Sequence, residues 1–396
     1  MHVDEAYKLQ VAKTIDEVSS LSMVWEKFQW HPNASLSYFI GLVESNNRIE
    51  RPHVVTVFEN KSPKAMLVGR IETASFPVHV GYKVLVKPLL RCLTINYGGI
   101  LGDVTAPCCD ILISELTDCI KRKEADIVHL NGITVDSDLY KAAIKNPGLL
   151  CRDYFPSQFK HWQMVLPDNI DAVYQSLSGK RRHELRRRER QFLKDYSGNL
   201  KVKVLDKPDE VGQILEHAER IAKTTYHRAL GVGFANNGET LQRILTLSRL
   251  GWLRAYILYV ADDPCAFWIG TRFGEIFYLD YTGYDPKYKN HEPGAFLFMK
   301  MVEDLCKMGI KALDFGFGDA LYKQRFGNKN WEEASVYIFS PTIRGAALNI
   351  AKSLAEGVSM LGNTFLHRMN ALQKFKTMWR NRLRGNYADQ KEQSNE

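Results

Sequence analysis

YLDYTGYDP (residues 278–286), HEPGAFLF (residues 291–298) and DFGFGD (residues 314–319) follow one another in the second half of the chain. Their order predicts a strand, a polar loop, a helix that begins at Pro293, and a second strand that ends in a glycine-rich loop. Proline lacks an N–H and favours the first helical position, and Gly294 and Ala295 leave the N–H groups of the first turn uncovered. Because free N–H groups and the helix dipole both attract anions, the stretch predicts a phosphate site at a helix N-terminus.

The first half of the chain carries a similar order of elements. A predicted hairpin and strand lead to a glycine-containing loop, and a helix then begins at Pro107 and runs toward a strand that ends at Gly132. Pro107 and Gly132 are 25 residues apart, and Pro293 and Gly316 are 23 apart. Internal repetition of this kind favours two copies of one α/β unit. Coincidental alternation of strands and helices is the alternative.

Length and composition are those of an ordinary globular protein. The chain has 396 residues, of which 45% are hydrophobic and 25% charged, so two domains are expected. No basic segment followed by an apolar run opens the sequence, and no window is apolar enough for a membrane span. The seven cysteines are scattered without a C-x-x-C pair, which favours buried thiols over zinc or a disulfide framework. We therefore expect a cytoplasmic protein without a metal.

Basic residues are concentrated in two segments. Residues 176–196 carry eight basic and three acidic side chains, and residues 366–385 carry six basic and none acidic. Together these exceed the formal net charge of +8, so the remainder is slightly acidic. The first segment predicts a helix that contacts tRNA phosphates, a phosphorylated acceptor or acidic groups, or else a solvated helix with Leu185 and Phe192 turned inward. The second predicts a tail that either packs on the body or lies on an anionic membrane surface.

Three stretches together resemble a known family. They are LSGKRRHELRR (177–187), the segment from Tyr284 to Leu297, and LDFGFGD with YKQRFG (313–319 and 322–327). The chain resembles the GNAT acyltransferase fold, and residues 160–340 are similar to the BioF2-like (CelD-type) acetyltransferase domain, a relative of the FemAB peptidoglycan transferases. The match over the first half is looser. The usual GNAT phosphate loop is replaced by Lys287–Gly294, so the family context is what implies acyl-CoA.

The resemblance implies an α/β (α+β) fold of tandem GNAT-like units. Each unit is expected to have a mixed, mostly antiparallel sheet flanked by helices. The predicted divisions are an N-terminal domain at 1–160, an acyltransferase domain at 161–342, a basic amphipathic helical tail at 343–385, and disordered residues at 386–396.

A direct transfer to an amine needs a group that accepts the amine proton. Asp280 is the first candidate for this base and Asp314 the second, and Tyr322 is the candidate acid for the leaving thiolate. The candidates for acyl-CoA binding are Lys287, Lys289, Pro293, Gly294, Ala295 and Lys323. The candidates for acceptor binding are Tyr281, Tyr284 and Asp319. Ordinary alternatives remain: a plain helix start at Pro293, a turn carboxylate at Asp314, and pocket-wall aromatics.

These expectations predict an N-acyltransferase that moves an acyl group from acetyl-CoA or another acyl-CoA to an amine on a sugar, an amino acid or a cell-envelope precursor. One alternative is an aminoacyl-tRNA-dependent transferase of the FemAB kind, in which tRNA is a partner. Another is a non-catalytic scaffold in polysaccharide or envelope biosynthesis. Packing of the basic tail on the body is the default expectation, and peripheral membrane contact through the tail is its alternative.

Overall fold

The computed structural model describes residues 7–81, 83–225 and 233–368. The strands are β1 (Tyr7–Ala12), β2 (Ile49–Glu59), β3 (Ser62–Ser75), β4 (Val78–Val80), β5 (Lys83–Val86), β6 (Leu89–Gly102), β7 (Ile127–Thr134), β8 (Ser157–Val165), β9 (Leu200–Leu205), β10 (Leu253–Val260), β11 (Asp263–Phe273), β12 (Ile276–Tyr284), β13 (Ala312–Phe317) and β14 (Lys329–Phe339). The helices are α1 (Ile15–Ser20), α2 (Ser22–Phe28), α3 (Leu36–Ser45), α4 (Ala106–Lys121), α5 (Asp138–Lys145), α6 (Ile170–Ser176), α7 (Gly179–Asp195), α8 (Val211–Ala222), α9 (Gly238–Arg249), α10 (Pro293–Lys307), α11 (Leu321–Phe326) and α12 (Ile343–Arg368). Short 3-10 helices lie at Pro32–Ala34, Pro208–Glu210 and Pro286–His291.

The chain divides into two compact units. Among the described residues, the first unit contains 7–161 and 331–368, and the second contains Trp162–Asn330. The sequence pattern placed a domain border one residue before this division. It also assigned β14 to the second domain, whereas the residues of β14 from Trp331 group with the first unit.

The sheet of the first unit has the strand order β1-β2-β3-β6-β7-β14. All neighbours are antiparallel except β6 and β7, which are parallel and are connected through α4. Helix α4 covers the sheet because its apolar side chains recur at helical spacing. Leu112, Leu116 and Ile120 of this helix are buried in one cluster with Val57 of β2 and Ile71 of β3.

The sheet of the second unit has the strand order β9-β10-β11-β12-β13. Its neighbours are antiparallel except β12 and β13, which are parallel and are connected through α10. Helix α10 begins at Pro293 as predicted, and Leu297, Val302 and Leu305 are fully buried. Burying such side chains on the sheet supplies about 1.5–3 kcal/mol each relative to exposure.

The two units therefore repeat one order: antiparallel strands, then a helix, then a strand parallel to the last of them. The predicted fold class, a mixed and mostly antiparallel sheet flanked by helices with a helical C-terminal portion, is confirmed. Of the predicted tail, the structure describes α12 as far as Arg368. Residues 369–385 of the tail and residues 386–396 lie outside the described residues.

One local prediction for the first unit was wrong. The glycine-containing loop expected before α4 is absent at residues 98–102, which continue β6 with Gly102 opposite Ala65. A register shift in the β3–β6 pairing and positive φ angles at Gly98 and Gly102 let the strand continue through glycines that resemble a turn.

No helix in the described part of the chain is long and apolar enough to cross a membrane. All seven cysteines are buried and free, as expected for small core side chains.

A buried ion pair fixes α12 to the first unit. The Lys352 Nζ atom lies 2.8 Å from Asp153 Oδ1 and donates to the Phe155 carbonyl at 2.6 Å. The other oxygen of Asp153 accepts from the backbone N–H of Tyr337 at 3.1 Å. Both side chains are almost fully buried, at 8% and 1% exposure. Removing one partner would leave the other as an uncompensated buried charge.

We expect Lys352→Met to lower the free energy of unfolding by about 3–5 kcal/mol, because Asp153 would stay buried and unpaired. The control is Lys311→Met, which removes a solvent-exposed pair with Asp168 and should leave stability unchanged. Urea unfolding of the two variants measures the difference. Equal stability of the two variants would contradict the anchoring role of Lys352.

Candidate functional site

Strands β12 and β13 pair over only three residues before they separate. The parallel register joins Ile276–Tyr278 to Ala312–Asp314. Beyond that point β12 continues to Tyr284 and β13 continues to Phe317. Strands that stop pairing in this way open a cleft at their C-terminal ends, where an edge of β12 is available to an extended ligand. Strands β12 and β13 and helices α10 and α11 carry most of the predicted site residues.

A β-bulge lies at Asp280, at the start of the unpaired part of β12. Leu279 is opposite Gly270 and Tyr281 is opposite Ile269, so Asp280 is the extra residue. Strand alternation predicts that Asp280 and Tyr281 point to opposite faces, but a bulge interrupts alternation. Tyr281 packs against Phe234 with ring centroids 5.3 Å apart.

Both oxygens of Asp280 are engaged. Oδ1 lies 2.6 Å from Arg243 Nη2, and Oδ2 accepts from Thr271 Oγ1 at 2.6 Å. These contacts connect β12 to α9 and β11. Because both oxygens of Asp280 already have hydrogen-bond partners, the carboxylate is better suited to hold the bulge than to accept a proton from an amine. The role of Asp280 as the catalytic base stays a prediction.

The start of α10 is built differently from the sequence expectation. Glu292, the residue before the helix, has a left-handed backbone, with φ 48° and ψ 55°. Its carbonyl accepts from the N–H groups of Ala295, at 2.9 Å, and Phe296, at 3.1 Å. The predicted phosphate donor at Ala295 therefore already has an intramolecular partner. A Cβ added at Gly294 would lie 3.6 Å from the Tyr284 ring, an ordinary contact distance.

The two loop lysines lie on the 3-10 helix before α10. Lys287 Nζ is 3.2 Å from Asp263 Oδ2 and 4.8 Å from the centroid of the Tyr288 ring. Contacts with Tyr288 and Asp263 raise the pKa of Lys287. Lys289 is exposed. Lys287 is therefore engaged by the Asp263 carboxylate in this structure.

Asp314 and Lys323 form the buried polar part of the cleft. Asp314 ends the paired part of β13, is 4% exposed, and accepts from the N–H of Gly316 at 2.7 Å. Lys323 is 7% exposed, and its Nζ donates to the carbonyls of Phe317 at 2.5 Å and Gly316 at 3.3 Å. Burial lowers the pKa of Lys323 to about 8, against the opposing effect of the Asp314 carboxylate. A neutral Lys323 amine has two N–H groups, which can still donate to these two carbonyls, and one lone pair, which can accept a proton.

Tyr322 and Trp268 connect this polar part to the start of α10. Their rings are in edge contact, with centroids 5.4 Å apart, and Trp268 Nε1 donates to the Gly294 carbonyl at 3.1 Å. Burial raises the pKa of Tyr322, so its phenol is a better hydrogen-bond donor than proton donor. The exposed Asp319 carboxylate accepts from Gln324. Sequence reasoning missed Trp268 because a tryptophan in a buried strand resembles any core aromatic.

The corresponding position of the first unit is closed. Strands β6 and β7 pair from Cys92–Ile95 to Ile127–Leu130, and Gly132 lies two residues beyond the last pair, as Gly316 does in β13. A Cβ at Gly132 would lie 2.6 Å from the Tyr97 ring. A Cβ at Gly316 would meet no atom within 4 Å among the described residues other than its chain neighbours. The space beside Gly132 is therefore filled by an aromatic ring in the first unit, whereas the space beside Gly316 is open in the second.

Tyr97 belongs to a buried cluster that the sequence did not indicate. Its ring is 4.8 Å from His31 and 5.0 Å from His161, by centroids. His161 Nδ1 lies 3.0 Å from Glu333 Oε2, and the two side chains are 0% and 2% exposed. Trp331 stacks on His161 at 4.4 Å and donates to the other Glu333 oxygen at 2.7 Å. These contacts hold Tyr97 and β14 in place in the first unit.

One set of potential metal ligands lies in the described residues of the first unit. The ligand atoms of His53, Cys119 and Glu124 are within 4.8 Å of one another. Glu124 is, however, bonded by Lys13, by Arg122 and by the guanidinium of Arg51. Burial raises the pKa of the Cys119 thiol to about 11 and lowers that of His53. Three cations around the carboxylate fit an ion-pair network better than a metal ion.

The basic helix α7 is partly used for packing inside the second unit. Leu185 and Phe192 are buried, as the sequence predicted for a helix turned inward at these positions. Arg188 Nη1 donates to the carbonyl of Asn290 at 2.6 Å, and Glu189 pairs with Lys300 of α10 at 2.9 Å. The Arg181 guanidinium lies over the Phe326 ring at 5.5 Å. The exposed cations that remain on α7 are Lys180, Arg186, Arg187, Arg190 and Lys194.

Comparison with known proteins identifies this region. Residues 179–324 match the model of a family described as an acetyltransferase (GNAT) domain. Among solved structures the chain is similar to FemX, with 11% identity and a TM-score of 0.52 over 84% of this chain and 97% of that one. It is also similar to L-PGS from Bacillus licheniformis, with 13% identity and a TM-score of 0.45 over 86% of this chain and 96% of that one. A tandem GNAT protein from the clavulanic acid biosynthesis pathway is similar with 9% identity and a TM-score of 0.47 over 85% of this chain and 99% of that one. No curated protein matches the chain.

The likeness to FemX is one of fold, since the sequence identity is low. The family match covers the cleft from α7 to α11 and includes Asp280, Asp314, Tyr322 and Lys323. The resemblance to the GNAT superfamily is therefore confirmed for residues 179–324. This part of the chain is an acyltransferase domain.

Two glycine substitutions test whether the cleft is filled in one unit and open in the other. Both glycines have positive φ, +75° at Gly132 and +67° at Gly316, so alanine costs about 1–2 kcal/mol of backbone strain at each. Gly132→Ala should destabilise the protein more than Gly316→Ala, because only at Gly132 does the methyl group meet an aromatic ring. Thermal or urea unfolding of the two variants measures this order. The reverse order would contradict the assignment.

Proposed function

We propose that the chain is an N-acyltransferase that moves an acyl group from an acyl-CoA to an amine acceptor. The observation that carries the proposal is the open gap at Gly316, where β12 and β13 separate inside the acyltransferase domain. The pantetheine arm of CoA is an extended chain with two amides, which suits hydrogen bonding to the edge of β12 beyond Tyr278. The equivalent gap in the first unit is occupied by Tyr97, so the proposal concerns the second unit alone.

In the proposed reaction the acceptor nitrogen attacks the thioester carbonyl directly. The C–N bond forms, the C–S bond breaks, and the amine proton passes to a base. Backbone N–H groups of Asp280–Gly283 at the strand end would stabilise the developing oxyanion. The departing thiolate would receive a hydrogen bond from Tyr322 and a proton from solvent.

We place the base at the Asp314–Lys323 pair. A base works best when its pKa is near the working pH, and burial lowers the pKa of Lys323 to about 8. Lys323 was expected from sequence to bind an anion, but its ammonium donates to two backbone carbonyls. Asp280 keeps both oxygens engaged and is proposed to hold the bulge, and through it the strand edge, in position.

The CoA pyrophosphate is proposed to lie at the start of α10. Glu292 bonds the N–H groups of Ala295 and Phe296, so the helix dipole at Pro293 and Gly294, together with Lys287 and Lys289, would supply the attraction. Tyr281, Tyr284 and Asp319 are proposed to contact the acceptor. We propose an acceptor amine on a sugar, an amino acid or a cell-envelope precursor.

Calorimetric titration with acetyl-CoA tests the donor. We expect binding in the wild type, and affinity at least about tenfold lower in Gly294→Asp, because a carboxylate would then face the pyrophosphate. Gly294→Ala is the matched control, since its methyl group meets Tyr284 at an ordinary distance. The acyl-CoA proposal fails if the wild type gives no heat, or if the aspartate and alanine variants bind equally.

The pH dependence of kcat/KM, measured by thiol release with a panel of amines, tests the base. The pKa of Lys323 is lowered, so its amine is charged below about pH 8 and neutral above, and the rate should rise through that pH. Lys323→Arg keeps the positive charge but has no neutral amine that could act as a base. The variant should therefore have a kcat/KM about 100-fold or more below that of the wild type, without the rise of kcat/KM near pH 8. An acceptor's own ionisation affects both proteins equally. A Lys323→Arg enzyme with wild-type rates would assign Lys323 to anion binding instead.

The first alternative is an aminoacyl-tRNA-dependent transferase, as the resemblance to the FemAB group implies. The exposed cations of α7, such as Arg187 and Arg190, favour this alternative, because their side chains can reach the phosphates of a tRNA. It predicts salt-dependent tRNA binding that is lost in Arg187→Glu/Arg190→Glu and kept in Lys201→Glu, an exposed lysine of β9. Binding that is equal in all three proteins would count against it.

The second alternative is a scaffold without catalytic activity. It predicts no thiol release with any amine of the panel by a protein that nonetheless binds its partners.

A further inference from the structure

The exposed face of the first unit carries an apolar groove of about 570 Å³ between α12 and the segment that precedes β8. Its walls include Leu149, Leu150 and Tyr154 from the segment, and Ile350, Leu354 and Val358 from the helix. Each of these six side chains is more than half exposed. Contiguous apolar surface of this kind is uncommon on a protein that remains free in water.

The groove is held in shape by polar contacts on its inner side. Asn349 donates from Nδ2 to the carbonyls of Leu150 and Arg152, both at 3.0 Å. The Tyr154 hydroxyl donates to the carbonyl of Leu149 at 2.7 Å. The Lys352–Asp153 ion pair lies one helical turn further along α12. The leucines are therefore presented outward by a fixed backbone.

The two faces of α12 have different partners. Ala355 and Leu348 pack on the first unit, while Ile343, Ile350, Leu354 and Val358 form an exposed apolar row at steps of three, four or seven residues. In the sequence the same spacing continues through Leu361, Phe365, Met369, Leu372, Trp379 and Leu383. The apolar spacing of the exposed row therefore extends in the sequence beyond the described residues.

The charge of this segment indicates what kind of partner covers the groove. Between Glu356 and Asp389 the sequence contains no acidic residue and six cations: Arg368, Lys374, Lys376, Arg380, Arg382 and Arg384. Helix α12 as far as Met360 offers Arg344, the paired Lys352 and a single acid, Glu356. It therefore lacks the carboxylates that a folded-back basic segment would need. A second copy of the chain would bring six more cations against these six.

We infer that this groove docks on an anionic lipid bilayer. The apolar row of α12 and the groove enter the headgroup–acyl boundary, and the basic composition of the sequence that follows favours an anionic lipid. The inference is independent of the proposed acyl transfer, since it rests on the first unit and the acyl transfer on the second.

Cosedimentation of the full-length protein with vesicles tests the inference. Binding is expected to vesicles of phosphatidylcholine with about one-third phosphatidylglycerol, and should weaken with salt. Ile350→Glu/Leu354→Glu should reduce binding at least about tenfold. Met23→Glu, at an 87% exposed site of α2 outside the groove, should bind like the wild type. Because all three positions are exposed, the variants should fold, and circular dichroism checks this.

Arg380→Gln/Arg382→Gln/Arg384→Gln separates the two contributions. This variant should lose the preference for anionic over neutral vesicles, because the groove residues are unchanged and only cations are removed. Absence of vesicle binding by the wild type, or equal binding by the groove variant, would overturn the inference. A concentration-dependent dimer that Leu354→Glu abolishes, without vesicle binding, would assign the groove to a second copy instead.

Discussion

The short pairing of β12 with β13 is the constraint on which the candidate site depends. Parallel strands joined by a helix normally pair along their length, but here the register stops at Tyr278 and Asp314. The bulge at Asp280 bends β12 at that point, and Thr271 and Arg243 hold the bulge through its carboxylate. Beyond the bulge, as far as Tyr284, the backbone of β12 is not paired with β13. Asp314 and Lys323 lie at the end of β13, where both hydrogen-bond to the backbone of Gly316.

The same order of elements has a different outcome in the first unit. There the strands also separate, at Ile95 and Leu130, but Tyr97 crosses the gap and packs on Gly132. His31, His161 and the Glu333–Trp331 pair surround the tyrosine with rings and hydrogen bonds. The two units therefore differ at this point: an aromatic side chain fills the space beside Gly132 in the first, and the space beside Gly316 is open in the second. Buried Asp314 and Lys323 cost stability unless paired, which is typical of residues retained for function.

Much of the fold could be predicted from periodicity and from punctuating residues. Pro293 marked the first residue of α10, the charged run marked α7, and the spacing from Pro107 to Gly132 anticipated the repeat. Strands that continue through glycines, such as β6 at Gly98–Gly102, were missed because glycine in sequence does not distinguish a bulge from a turn. The site was predicted less well. Strand alternation cannot reveal the bulge at Asp280, and no local pattern reveals that Lys323 is buried or that Tyr97 fills the gap beside Gly132, since both depend on contacts distant in sequence.

The proposed function requires that the donor binds in the second unit alone. Hydrogen–deuterium exchange with and without CoA tests this, because the corresponding segments of both units are observed in one experiment. CoA should slow exchange in residues 279–284 and at the first turn of α10, and leave residues 96–102 and the first turn of α4 unchanged. Protection confined to the first unit, or no protection anywhere at saturating CoA, would contradict the proposed function.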